Sequence, residues 1–148
     1  MSETFPIAPA SATPIWLVGV ICLLLALIFS LLAYTAYAAR HSRVELSAGQ
    51  LRLVGDFWGR TLPLSVIDGA KARVVDLHVA ADIRPRRRSF GTALPGYASG
   101  WFRLGNGEKA LVYLTRRNAV AYVPTTQGYA LLLSVIEPAE FIAALRIK

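Results

Sequence analysis

The chain opens with a polar leader, turns uniformly apolar from Ile15 to Ala39, and from Arg40 onward breaks into short alternating runs separated by turn residues. The apolar stretch is 25 residues long, carries no charge, and departs from the hydrophobic set only at Gly19, Ser30 and Thr35. At about 1.5 Å rise per residue a helix of that length reaches roughly 37 Å, more than the roughly 30 Å hydrocarbon layer of a bilayer. Thirteen of its residues are Leu, Ile, Val or Phe, for which insertion is favourable by about 4–8 kcal/mol in sum. Trp16 stands at one end and Tyr34 and Tyr37 at the other, where amphipathic rings favour the headgroup level. The pattern predicts a leader at 1–14, a single transmembrane helix at 15–39 and a soluble domain at 40–148.

Within the domain the alternation is that of strands. Val44 to Leu46 and Leu51 to Val54 read as a hairpin turned at Ser47-Ala48-Gly49. Thr61 to Ile67 is a further run, with Pro63 marking an edge or a bulge, and Arg73 to Val79 another. Ala80 to Ser99, rich in Arg, Pro, Gly and Ser, shows no sustained period and reads as a long loop. Trp101 to Leu104 and Ala110 to Leu114 form the clearest hairpin, because Asn106-Gly107 tolerates the positive φ of a tight turn. Ala119 to Val123 and Tyr129 to Val135 follow. Pro138 to Arg146 closes the chain as an amphipathic helix, with Pro at its first position, Glu140 in its first turn, and Phe141, Ile142 and Leu145 on one stripe.

Charge sets the expected orientation. There are 16 Lys and Arg against 9 Asp and Glu, a net +7, and every Lys and Arg lies at Arg40 or beyond. The positive-inside rule therefore puts the domain in the cytoplasm and the N-terminus outside, in a bacterial inner membrane. Ala36-Tyr37-Ala38 resembles a signal-peptidase site, but the leader carries no basic residue and the apolar core is too long for a signal peptide. Ala26 and Ser30 have small-xxx-small spacing, a weak helix-contact signal. Cys22 is the only cysteine and lies in the span, which excludes an intrachain disulfide and a thiolate zinc site.

Three segments carry a family resemblance: Gly55-Asp56-Phe57-Trp58-Gly59-Arg60-Thr61-Leu62-Pro63-Leu64, Leu94-Pro95-Gly96-Tyr97 through Gly100-Trp101-Phe102, and Tyr129 to Ser134 leading into Glu137-Pro138-Ala139-Glu140-Phe141. Over roughly Val44 to Arg146 the chain resembles bacterial pleckstrin-homology-like domains. The resemblance implies a mainly β fold, a seven-stranded bent sheet or roll with one C-terminal α-helix, here preceded by the transmembrane helix. It supplies no catalytic centre. The basic phosphoinositide-reading motif of the eukaryotic relatives is not evident at Ser47-Ala48-Gly49.

The candidate chemistry is that of binding. Arg84, Arg86, Arg87 and Arg88 crowd around Pro85, and with the juxtamembrane Arg40 and Arg43 they suit phosphate or carboxylate groups. The competing reading is a solvated charge run. Phe57 and Trp58, between Gly55 and Gly59, are the candidate apolar contact, against core packing at a strand end. Asp76, His78 and Asp82 suggest an acid/base pair or a metal corner, but His41 is the only other histidine. No nucleophile elbow or phosphate loop occurs, and the basic residues form no recognisable nucleic-acid module. The expected function is a membrane-anchored binding or scaffold domain for protein–protein interaction at the cytoplasmic face, with a membrane-protein partner or a second copy. The alternative is anionic lipid headgroup binding through Arg84 to Arg88. No catalysis, cofactor, metal or small-molecule substrate is expected.

Overall fold

A computed structural model describes residues 3–9 and 11–147, and the chain divides into two units, Met1–Tyr37 and Ala38–Lys148. The first unit holds most of helix α1, Thr13–His41, 29 residues long. From Ile15 to Tyr34 its side chains are exposed on every side, with Trp16 75% and Phe29 68% exposed. A core helix of a soluble protein hides one face; between Ile15 and Tyr34 this one hides none, and it is long and apolar enough to cross a membrane.

The second unit is mostly strands, with one C-terminal helix. Nine strands stand among the described residues: β1 Arg43–Ser47, β2 Gln50–Val54, β3 Thr61–Pro63, β4 Arg73–Val75, β5 Pro85–Leu94, β6 Tyr97–Leu104, β7 Lys109–Leu114, β8 Val120–Pro124 and β9 Tyr129–Leu133. Helix α2, Pro138–Ile147, follows. The strands form a three-stranded sheet, β1-β2-β3, and a six-stranded sheet, β4-β8-β9-β7-β6-β5. All pairings are antiparallel except β7 with β9, which run parallel from Lys109↔Tyr129 to Tyr113↔Leu133, so β9 lies between two strands that precede it in the chain.

Both faces of the larger sheet are covered. On one face Leu111, Tyr113, Ala121, Val123, Leu131 and Leu133 pack with Leu51, Leu53 and Leu62 of the small sheet and with Ile142 and Leu145 of α2. On the other face Ala110, Val112, Leu114, Val120, Tyr122 and Leu132 meet Val75, Leu77 and Ile83. Double coverage explains why β7, β8 and β9 read as almost continuous apolar runs.

Three sequence expectations change. The strand expected over Thr61 to Ile67 stops at Pro63, which lacks the ladder donor, and Leu64–Val66 is one 3-10 turn. The run from Arg73 ends at Val75, because Asp76 accepts the amide of His78 at 2.8 Å and turns the chain. The expected loop from Ala80 to Ser99 contains β5, the turn at Pro95-Gly96 and the start of β6, which adds a ninth strand to the eight runs marked by the sequence pattern.

Candidate functional site

The four clustered arginines separate into two roles. Arg84 lies just before β5 and donates through Nε to the Leu77 carbonyl and through Nη2 to the His78 carbonyl, both at 2.7 Å. It fastens the segment covering one face of the sheet and is occupied there. Arg86, Arg87 and Arg88 lie on β5 and are exposed. Among the described residues β5 pairs with β6 alone, with register shifts between Pro85 and Arg87 and between Arg88 and Phe90, and its other edge has no strand partner. Arg87 stands opposite Arg103 in the ladder, and directly opposed like charges destabilise a strand pair. Among the described residues no carboxylate forms an ion pair with Arg86, Arg87 or Arg88.

Phe57 and Trp58 belong to the turn between β2 and β3, and the structure adds a third ring. Trp58 and Phe90 meet edge to face, centroids 5.1 Å apart at 85°. Phe57 and Phe90 are each 69% exposed, while Trp58 is half-buried. Asp56 fixes this turn. Its carboxylate accepts the Trp58 amide at 3.0 Å, the Tyr97 hydroxyl at 2.8 Å and the Tyr113 hydroxyl at 2.8 Å. The aromatic tip is thereby tied to β6 and β7 across the fold. Trp101, opposite Phe90 in the ladder, carries Arg60 at 5.2 Å and Lys109 at 4.5 Å over its ring.

The remaining expected residues lie elsewhere. Arg40 is exposed in the last turn of α1. Arg43, on β1, donates to Glu45 at 2.7 Å, and that hydrogen bond holds the Glu45 carboxyl below the usual carboxylate range. Phe90 and Asp56 are the contributors that sequence reasoning missed. Phe90 sits inside the stretch taken for loop, and the partners of Asp56 lie 41 and 57 residues away.

A family model described as a bacterial PH domain matches residues 60–148, more than half of the chain. The chain belongs to the bacterial PH domain family. No curated protein and no solved structure matches it. The match begins at Arg60, so β1, β2 and the turn bearing Asp56, Phe57 and Trp58 lie outside it, although they complete the core of this PH domain.

Burial raises the phenols of Tyr113 and Tyr122. Tyr113 is raised by desolvation and then by the Asp56 charge. Tyr122 is pushed up to about 12 by burial and by its hydrogen bond to Glu108, which it meets at 2.8 Å. Both stay neutral in the folded state at pH values where the unfolded chain, with phenols near 10.0, ionises. Their contribution is therefore complete below pH about 10 and is lost as the pH rises through the folded values. Denaturant melts between pH 8 and 12 should show the midpoint falling above pH about 10, and Tyr122→Phe should flatten that fall; an unchanged slope in the variant would contradict this origin.

Proposed function

We propose that the protein is a membrane-anchored PH-domain binding module that docks a protein partner at the cytoplasmic face of the bacterial inner membrane. The observation that carries this reading is that Arg86, Arg87 and Arg88 share the edge strand β5 with the exposed Phe90, which packs edge to face on Trp58 in the turn that also bears the exposed Phe57. Arginine and aromatic side chains are the types that anchor protein interfaces, and an extended acidic segment satisfies a strand edge and relieves the opposed Arg87 and Arg103 together. The span confines the domain to the membrane surface, which raises its effective concentration for a neighbouring membrane protein. The distribution of basic residues supports the inside orientation.

The same three arginines also support a second reading, anionic headgroup binding, since each basic residue near an anionic leaflet adds about 1 kcal/mol. A photoreactive residue at position 90 of the full chain, activated in native membranes, separates the two. Protein docking gives a discrete protein adduct that the combined Arg86→Ser, Arg87→Ser and Arg88→Ser variant reduces by about ten-fold, roughly the effect of losing one charge-assisted contact. Adducts to lipid alone, lost in the same variant, make the headgroup reading correct. Removal of the domain by protease added outside intact spheroplasts overturns the orientation and both readings with it.

A further inference from the structure

A second candidate site lies wholly within the PH-domain unit: a cavity of about 370 Å³ beside β1, β2 and the end of β9. Its apolar walls are Val44, Leu53, Leu133, Val135 and Ile136, with the rings of Tyr97 and Tyr113 completing them. That size and lining are those of a small-molecule site.

Most polar side chains along the walls already have partners, the exposed Thr115 hydroxyl being the exception. Both phenols donate to Asp56. Ser42 donates to the Ala38 carbonyl at 2.6 Å, and Ser134 donates to the Arg116 carbonyl at 2.8 Å. Arg43 is held by Glu45. An occupant with its own donors and acceptors would lose water there and regain little, whereas hydrocarbon loses nothing. The site selects an apolar body.

Its source is indicated by the chain itself. Ala39, Ser42 and Arg43 line the cavity and lie within six residues of Tyr37, the aromatic residue at the end of the apolar helix. Chain length alone keeps those residues within about 20 Å of that point. Arg40, exposed and next to Ala39 in the chain, suits the phosphate of a lipid whose tail turns into the cavity. We infer that this cavity takes one acyl chain of a phospholipid from the bilayer in which the helix is anchored. The inference rests on the anchoring half of the proposed function and is independent of the β5 edge.

The test uses the full chain in nanodiscs of phosphatidylglycerol bearing a diazirine midway along one acyl chain, with adducts mapped by mass spectrometry. The expected result is adducts on peptides containing Leu53 and residues 133–136, besides those on α1. Val135→Trp, which fills the cavity, should reduce them more than about five-fold while leaving the α1 adducts unchanged. Should Val135→Trp fail to fold, Ile136→Lys tests the same point, because Ile136 is 87% exposed and its replacement spares the core. Adducts confined to α1, or cavity adducts indifferent to a folded filling variant, overturn the inference alone. Cavity labelling by diazirine palmitate but not by the phospholipid overturns the phospholipid as the source. A chain that does not co-elute with the discs overturns the anchor, and the inference falls with it. The triple β5 arginine variant should label like the parent, which keeps this outcome apart from the docking reading; a matching loss of cavity adducts there would overturn their assignment to a separate site.

Discussion

Asp56→Ala in the full chain should lower the free energy of unfolding by about 2–4 kcal/mol, with a fall in Tm of about 10 °C. The substitution removes one carboxylate and leaves two phenols without their acceptor. Tyr97 and Tyr113 are each only 8% exposed, and each hydroxyl meets Asp56 at 2.8 Å. Hydrogen bonds to a charged group are the stronger kind, and the cost of deleting one partner includes the desolvation of the group left behind. Asp56→Asn keeps an oxygen for one phenol and should lose about half as much. Combined with Tyr113→Phe, Asp56→Ala should be clearly less damaging than the sum of the two single changes, since the second removes the hydroxyl that the first strands. Additive losses would show that the three side chains do not act as one clamp. Trp58 fluorescence should shift with the stability, because the same carboxylate holds its amide.

A second large effect is expected at Gly100, on β6 beneath the aromatic tip. Its φ is +113°, and a Cβ there would stand 2.5 Å from the Gly91 Cα and the Phe90 carbonyl oxygen, and 3.2 Å from Trp58 Nε1. The first two are backbone atoms of the neighbouring strand and cannot swing aside as a side chain does. Gly100→Ala should cost about 3 kcal/mol, part from the left-handed backbone and part from forcing β5 away from β6. Gly96→Ala is the internal control. Gly96 also has positive φ, +78°, but its added Cβ meets nothing within 4 Å, so its cost should be about 1 kcal/mol. Equal losses at the two positions would mean that close strand approach contributes nothing at Gly100. If the separation also moves Phe90 off Trp58, Gly100→Ala should weaken partner adducts at position 90 in the same sample.

What was legible in the sequence was what burial writes into it. The amphipathic stripe of α2 shows a period matching the surface it hides, the apolar helix and the last strands stand out as continuous apolar runs, and Asn106-Gly107 marks its hairpin turn. β5 hides almost nothing. Its residues Arg86 to Phe90 are all exposed, so no alternation marks it, and its arginines and glycine imitate a loop. The open edge that makes β5 a candidate docking strand is therefore also the reason its arginines were assigned to a loop. The family resemblance found the architecture because glycine and proline positions record backbone shape. The Asp56 clamp was out of reach for a different cause: a carboxylate meeting two phenols across the fold leaves no spacing in the chain. Arg84 shows the reverse error, a cation grouped with its neighbours by sequence and separated from them by the two carbonyls it binds.

The placement of β9 bears on how the protein is made. Synthesis runs from the N-terminus, so β7 and β8 leave the ribosome before the strand that must lie between them. Until Tyr129 to Leu133 arrives, two strands rich in valine, leucine and tyrosine have no neighbour along the sides that β9 will occupy. A nascent chain arrested at Thr126 would thus hold its apolar helix complete and its sheet unclosed. The interval between those two events is when the protein is most exposed to aggregation and most in need of a chaperone.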